Sequence, residues 1–174
     1  KPEDASISVF DRGFLYGDSI YETLRVYETQ PFALQEHLHR LRSSGELIAF
    51  NHPFEDIFLE DQVATAIVSS GLREAYLRII ITRGQGHLGL APHLAIEPKL
   101  LIIVLPLPAL GSDLYTLGKR ARIVGIRRHH KDSLNPKAKT GNYMSSILAL
   151  AEAKMHDVDE AIMLDDQGRV AEAS

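Results

Sequence analysis

Residues 76–105, YLRIIITRGQGHLGLAPHLAIEPKLLIIVL, decide the fold. The runs 76–82 and 100–105 are too short and too rich in Ile and Val for helices, so both read as strands. They flank a glycine-rich stretch, RGQGHLGLAP at 83–92, which reads as an irregular loop. That stretch is neither a phosphate-binding loop nor a dinucleotide fingerprint, because no Gly-Lys-Ser/Thr follows and no helix opens after it. Upstream, 19–28 (SIYETLRVYE) alternates through Ile20, Leu24 and Val26 as a half-buried strand does, and 7–10 reads as a short apolar strand before it. Between them lies DRGFLYGD at 11–18, whose glycines and aspartates mark a tight loop.

Two helical patterns fill the space between these strands. In 34–50 the residues Leu34, Leu38, Leu41, Leu47 and Ile48 recur at near-helical spacing, with Arg40, Arg42 and Glu46 on wetter faces and a weak point at Gly45. A second pattern runs over 55–70 after Pro53, and Gly71 is placed to end it. The stretch 106–118 has no periodicity and reads as a linker. Beyond it come a strand at 121–126, a basic cluster of Arg127, Arg128, His129, His130 and Lys131, and a helix over 142–155. Met144, Ile147, Leu148, Ala151 and Met155 line one face of that helix. A hairpin closes the chain, with strands 160–164 and 169–173 around the turn DDQG at 165–168. The expected organisation is α+β in two parts: an N-terminal domain over 1–110, a linker over 111–118, and the start of a second, incomplete domain over 119–174.

Composition narrows the chemistry. The 174 residues are 45% hydrophobic and 24% charged, the balance of a soluble globular protein. The longest apolar stretch, 100–110, is shorter than a bilayer span and is broken by Pro106 and Pro108, so no membrane span is expected. The absence of cysteine excludes disulfides, thiolate metal sites and cysteine nucleophiles, and fits a reducing compartment such as the cytoplasm. A net charge of -4 gives no global reason to seek nucleic acid. The chain starts at Lys1 and stops at Ser174 just after a strand, so both ends look cut.

Eight histidines invite a metal reading that their spacing opposes. His37 and His39 point to different faces of a helix, and His129 and His130 are adjacent without a carboxylate at ligand spacing. No metal is expected. The basic run 119–131 could form a phosphate or nucleic-acid patch, but strand alternation splits it over two faces and no aromatics interleave, which favours a solvated strand end. More informative is PKAKTGNYMSS at 136–146. A lysine just before a helix start, beside apolar neighbours, feels the positive helix terminus and desolvation, which favour the neutral amine that forms Schiff bases.

Five segments carry a resemblance: DRGFLYGDSIYETLRVY at 11–27, EHLHRL at 36–41, YLRIIITRG at 76–84, KTGNYMSSILALAEA at 139–153 and DEAIMLDDQGRVAEAS at 159–174. In this order and spacing the chain resembles the class IV, or fold type IV, aminotransferases, which depend on pyridoxal 5'-phosphate. The resemblance implies an N-terminal α+β domain and a C-terminal domain built on a barrel-like sheet, with the cofactor between them. It also implies a homodimer whose partner completes the pocket, and a parent chain longer than 174 residues.

What the resemblance assigns is specific. Lys139, three residues before Asn142, matches the lysine that bonds to the cofactor and shuttles a proton; Lys137, the competitor, is five before it. Arg40 matches the arginine that grips the cofactor phosphate, a task suited to a planar, permanently charged donor. Glu172 matches the carboxylate that keeps the ring nitrogen protonated, and Tyr143 the tyrosine beside the phenolic oxygen. Tyr16, Tyr21, Arg25 and Arg78 fall where such proteins build the substrate pocket. Leu88 and Leu90 stand where D-specific members carry Arg and His, so the loop looks more like the branched-chain group. The implied reaction is transfer of an amino group from a branched-chain L-amino acid to 2-oxoglutarate, both small molecules. Aminodeoxychorismate lyase and D-amino-acid aminotransferase are the alternatives within the family, and an anion-binding structural module using 119–131 is the alternative outside it.

Overall fold

The computed structural model describes residues 5–108, 111, 113–130 and 132–174. The chain is a mixed α+β fold. It divides into two compact units: the described residues up to Leu107 together with Ala138–Gly141, and those of Pro108–Lys137 together with Asn142–Ser174.

The first unit is built on an antiparallel sheet. Helix α1 (Arg12–Tyr16) leads into β1 (Ser19–Tyr27), the short β2 (Gln30–Pro31), helices α2 (Leu34–Leu47) and α3 (Asp56–Ser70), and the long strands β3 (Ala75–Gly86) and β4 (Ala95–Pro106). The strand order is β2-β1-β3-β4. Alternation sends Ile20, Leu24 and Val26 of β1 and Leu77, Ile79 and Ile81 of β3 to one face, where Leu38 and Leu41 of α2 and Leu59, Val63 and Ile67 of α3 cover them. Each such fully buried side chain contributes about 1.5–3 kcal/mol, so this interface dominates the unit's stability. Gly45 is no weak point. It is buried within α2, where a Cβ would strike the carbonyl of Phe50, whose N–H donates to the Gly45 carbonyl at 2.8 Å.

Several local expectations change. Residues 11–18 hold a short helix rather than a plain loop, because the Asp11 carboxylate accepts from the Gly13 N–H at 2.7 Å and caps α1, and Gly17 ends it. Residues 7–10 form no strand. Val9 and Phe10 are exposed and the Phe10 N–H turns back to the Ser8 hydroxyl, leaving Asp11 alone to bridge to Gln85. The strands around the glycine-rich loop run on into it: β3 continues through Arg83 to Gly86, and β4 begins at Ala95.

In the second unit, helix α4 (Asp113–Leu117) falls within the stretch read as linker; residues 109, 110 and 112 of that stretch lie outside the described residues. Strand β5 (Ala121–Arg127) pairs in parallel with β6 (Glu160–Leu164), and α5 (Met144–Met155) lies between them in sequence, as a parallel pair requires. Strand β7 (Val170–Ala173) returns antiparallel to β6. The face of α5 lined by the larger apolar residues is not its core face. Ser145, Ala149 and Ala153 are buried with Val124, Ala161 and Met163, while Met144, Ile147, Leu148, Ala151 and Met155 are exposed. Small residues win the inner face because they let the helix approach the sheet closely. Among the described residues no helix is long and apolar enough to cross a membrane.

Candidate active site

Strand β1 places a charge where periodicity demands an apolar residue. Glu22 shares the face of Ile20, Leu24 and Val26 and is 0% exposed. A carboxylate there must be paired, and α2 supplies the partners. Arg40 donates to it through Nε at 2.5 Å and Nη2 at 2.6 Å, and His37 Nδ1 lies 2.8 Å from Oε2. Burial pushes the Glu22 carboxyl up, but the hydrogen bonds from Arg40 and His37 outweigh it and hold the group below the usual carboxylate range. In return Glu22 raises the Arg40 guanidinium above its ordinary value. Arg40 stays 51% exposed, so its remaining donors face outward on a guanidinium fixed from behind.

One turn further along α2, Ser44 holds a second element. Its hydroxyl accepts from the Lys139 N–H at 3.1 Å. The segment around Lys139 lies as an added edge on β1: the Tyr21 N–H donates to the Lys139 carbonyl at 3.0 Å, the Gly141 N–H donates to the Ser19 carbonyl at 3.0 Å, and Ile20 bridges Thr140. The close approach favours glycine at 141, where a Cβ would meet the Ser19 hydroxyl. This backbone registry puts Lys139 Nζ 3.1 Å from the Tyr21 hydroxyl and 4.4 Å from the centre of its ring. The Arg78 guanidinium covers the same ring at 4.3 Å. His37, Arg40 and Ser44 stand at helical spacing on α2, so one helix serves both Glu22 and Lys139.

Of the residues singled out in sequence, Lys139, Tyr21 and Arg78 therefore come together, with Arg40 on the helix that also holds the Lys139 backbone. Arg25 stands apart from them. It is exposed on β1, stacks 4.5 Å from the Tyr27 ring and pairs with Glu74 at 3.4 Å. Tyr16, at the end of α1, accepts from the Gly89 N–H at 3.3 Å. Glu22 and Ser44 escaped the sequence reading. Their signals were present: a carboxylate at core parity in a strand, and a hydroxyl one helical turn after Arg40.

The second unit holds Glu172 and Tyr143. Glu172, on β7, pairs with Arg128 Nε at 2.8 Å. Both line a cleft of about 460 Å³ together with His129, Asp165 and Arg169. The basic cluster is thus not simply a solvated strand end: Arg128 is half-buried against Glu172, and His130 lies 3.4 Å from Asp132 and 3.3 Å from Asp166. Lys131 lies outside the described residues. Tyr143 occupies the N-terminal cap position of α5 and is partly exposed.

The sequence model of the family described as amino-transferase class IV matches residues 19–174. The chain belongs to the class IV aminotransferases. Among its relatives, a Methanocaldococcus jannaschii protein provisionally named a branched-chain-amino-acid aminotransferase is 41% identical over 173 residues, covering 99% of this chain and 59% of the relative. A T.th. branched-chain amino acid aminotransferase, whose crystal structure is described with pyridoxamine 5'-phosphate, superposes with a TM-score of 0.91 at 32% identity, covering 98% of this chain and 58% of that one. The Escherichia coli branched-chain amino acid aminotransferase gives a TM-score of 0.86 at 30% identity, with the same coverages. This class IV aminotransferase chain thus spans about three fifths of the length of the relatives it matches.

Proposed function

We propose that the chain forms the lysine-bearing part of a pyridoxal-phosphate-dependent aminotransferase that passes an amino group from a branched-chain L-amino acid to 2-oxoglutarate. The observation that carries the reading is Lys139, whose amine rests on the Tyr21 hydroxyl while its backbone is fixed by Ser44, one turn after Arg40 on α2. The cofactor fits the chemistry of the donor set: an oriented amine, a guanidinium anchored from behind by Glu22, a phenol and a carboxylate. Relatives add support, since the T.th. enzyme has structures described with N-(5'-phosphopyridoxyl)-L-glutamate, which carries an acidic side chain, and with 4-methylvaleric acid, a carboxylic acid with a branched apolar chain.

When bound, pyridoxal phosphate supplies an aldehyde carbon for an amine and a ring that withdraws electrons. Lys139 Nζ would be the group that holds the cofactor through its aldehyde carbon, and as a free amine it would carry a proton to and from the substrate α-carbon. Tyr21 orients that nitrogen through its hydroxyl, and Arg78 stacks over the Tyr21 ring to hold the phenol still. Arg40 would offer its outward donors to the phosphate, a bidentate pairing that Glu22 makes rigid. Glu172 would hold a proton on the ring nitrogen, with Arg128 fixing one of its oxygens, and Tyr143 would donate to the phenolic oxygen. Tyr16 belongs to the substrate pocket in this reading, and Arg25, exposed on β1, to its outer margin. A homodimer, a cytoplasmic location and the domain limits 1–110, 111–118 and 119–174 belong to the same proposal.

Single-turnover spectra of the cofactor-loaded protein test the substrate. L-leucine should convert the aldehyde form of the cofactor to the amine form, and 2-oxoglutarate should restore it. Conversion by D-alanine alone, or release of pyruvate from aminodeoxychorismate, would overturn the assignment.

A further inference from the structure

His37 and His39 stand two residues apart on α2 in different surroundings. His39 is exposed, whereas the His37 side chain is 18% exposed and its Nδ1 lies 2.8 Å from Glu22 Oε2. An ionised carboxylate only accepts, so Nδ1 must carry a hydrogen and donate it. Arg40 Nη2 donates to the same oxygen at 2.6 Å and stands 3.3 Å from Nδ1, two donors side by side on one acceptor. This fixes how His37 can change charge. Nδ1 keeps its hydrogen in both forms of the ring, and Nε2 is the nitrogen that gains or loses a proton. Protonation of His37 therefore alters the charge of the cluster without breaking a bond to Glu22.

The surrounding charges decide what that proton answers to. With His37 neutral, the Glu22 carboxylate and the Arg40 guanidinium cancel. A proton on His37 leaves two cations on one buried carboxylate, and the closeness of Arg40 to the ring opposes it. An anion on the outward donors of Arg40 removes the opposition. The other groups nearby are few. Tyr21, on β1 beside Glu22, acts on Arg40. From α3, Glu60 accepts from Gln35 and Asp56 pairs with Arg42, so both carboxylates are engaged elsewhere on α2. Glu22 itself is held below the usual carboxylate range and keeps its charge where imidazoles titrate.

We infer that His37 is a proton-linked positioning residue of the anion site at Arg40: a doubly charged oxyanion bound there draws a proton onto His37, and by reciprocity a proton on His37 tightens the oxyanion. The inference rests on the aminotransferase reading, in which that oxyanion is the cofactor phosphate, and deepens it by making retention of the phosphate depend on pH. Asparagine can supply an N–H in place of Nδ1 but cannot take up the proton, so His37→Asn separates the hydrogen bond from the charge.

Sulfate is the probe, because it stays a dianion and carries no proton of its own across the range used. Calorimetric titration of the full chain without cofactor, at low ionic strength, should show sulfate binding about tenfold more tightly at about pH 5.5 than at about pH 8.5. His37→Asn should match the wild type at the higher pH and lose most of the pH dependence, while His39→Asn should keep it. If His37→Asn does not fold, nitrogen NMR of the wild-type imidazoles takes its place: one ring with a protonated Nδ1 should gain a proton at Nε2 when sulfate is added at constant pH. Sulfate affinity that ignores pH, a pH dependence that survives in His37→Asn, imidazoles unmoved by sulfate, or no sulfate binding at all overturns the inference. A wild-type protein that takes no borohydride-fixed pyridoxal phosphate at Lys139 defeats the aminotransferase reading instead, whatever the sulfate titration shows, so the two failures are separable.

Discussion

Glu22 and Arg40 meet at the interface of β1 and α2 as a two-point carboxylate–guanidinium pair, with a fully buried acid and a half-exposed base. The asymmetry sets the pair's use. The buried member has no role in solvent, so its work is to aim the exposed one.

Glu22→Gln should therefore act through Arg40. The amide keeps the shape but loses the charge that both bonds to Arg40 require, and its NH2 group opposes a donor. A loss of about 2 kcal/mol in unfolding free energy is expected, less than for a pair buried on both sides because Arg40 can turn to water. Pyridoxal phosphate should bind about tenfold more weakly, the equivalent of one well-placed hydrogen bond. Urea denaturation and a fluorescence titration with the cofactor check the two effects.

The same carboxylate makes stability depend on pH. Its pKa in the folded chain lies below the ordinary 4.5. As pH falls through that value the unfolded chain takes up the proton first, so the stabilisation is complete above it and drains away below it. Comparing unfolding free energies at about pH 6 and about pH 3.5 should show a larger loss for the wild type than for Glu22→Gln.

Tyr21→Phe removes one atom from Lys139's surroundings and leaves the ring in place. The Nζ atom keeps its ring contact at 4.4 Å but loses the oxygen at 3.1 Å. Proton transfer should slow by about tenfold with little change in stability, measured as the single-turnover rate with L-leucine.

Gly141→Ala should dislodge the lysine segment from β1. The new Cβ meets the Ser19 hydroxyl, at a cost of about 1–2 kcal/mol. Ser19→Ala takes away the atom it meets, so the double variant should recover much of the loss, a coupling that a double-mutant cycle measures directly.

Much of this was legible in the sequence because the relevant patterns are local. The alternation in 19–28 and the Ile-rich run at 76–82 announce strands, and Gly71 and the DDQG turn mark where elements stop. Lys139 and Arg40 stood out through the residues around them. What escaped was set by tertiary packing. Glu22 looks like a surface glutamate until α2 brings Arg40 and His37 over it. The larger apolar residues of α5 outnumber Ser145, Ala149 and Ala153, yet the small face is the one that fits the β5–β6 sheet. Likewise DRGFLYGD reads as a loop from composition, because its helix is capped by Asp11 and its buried Arg12 bonds Asp18 and the distant Gly89 and Leu90 carbonyls.

The central claim is that Lys139 is the residue that binds the cofactor, and reductive trapping tests it most directly. The protein is loaded with pyridoxal 5'-phosphate, reduced with borohydride, digested and mapped by mass spectrometry. A single stable label on Lys139, lost in Lys139→Ala, is the predicted result. Label on Lys137, or none on Lys139, would contradict it.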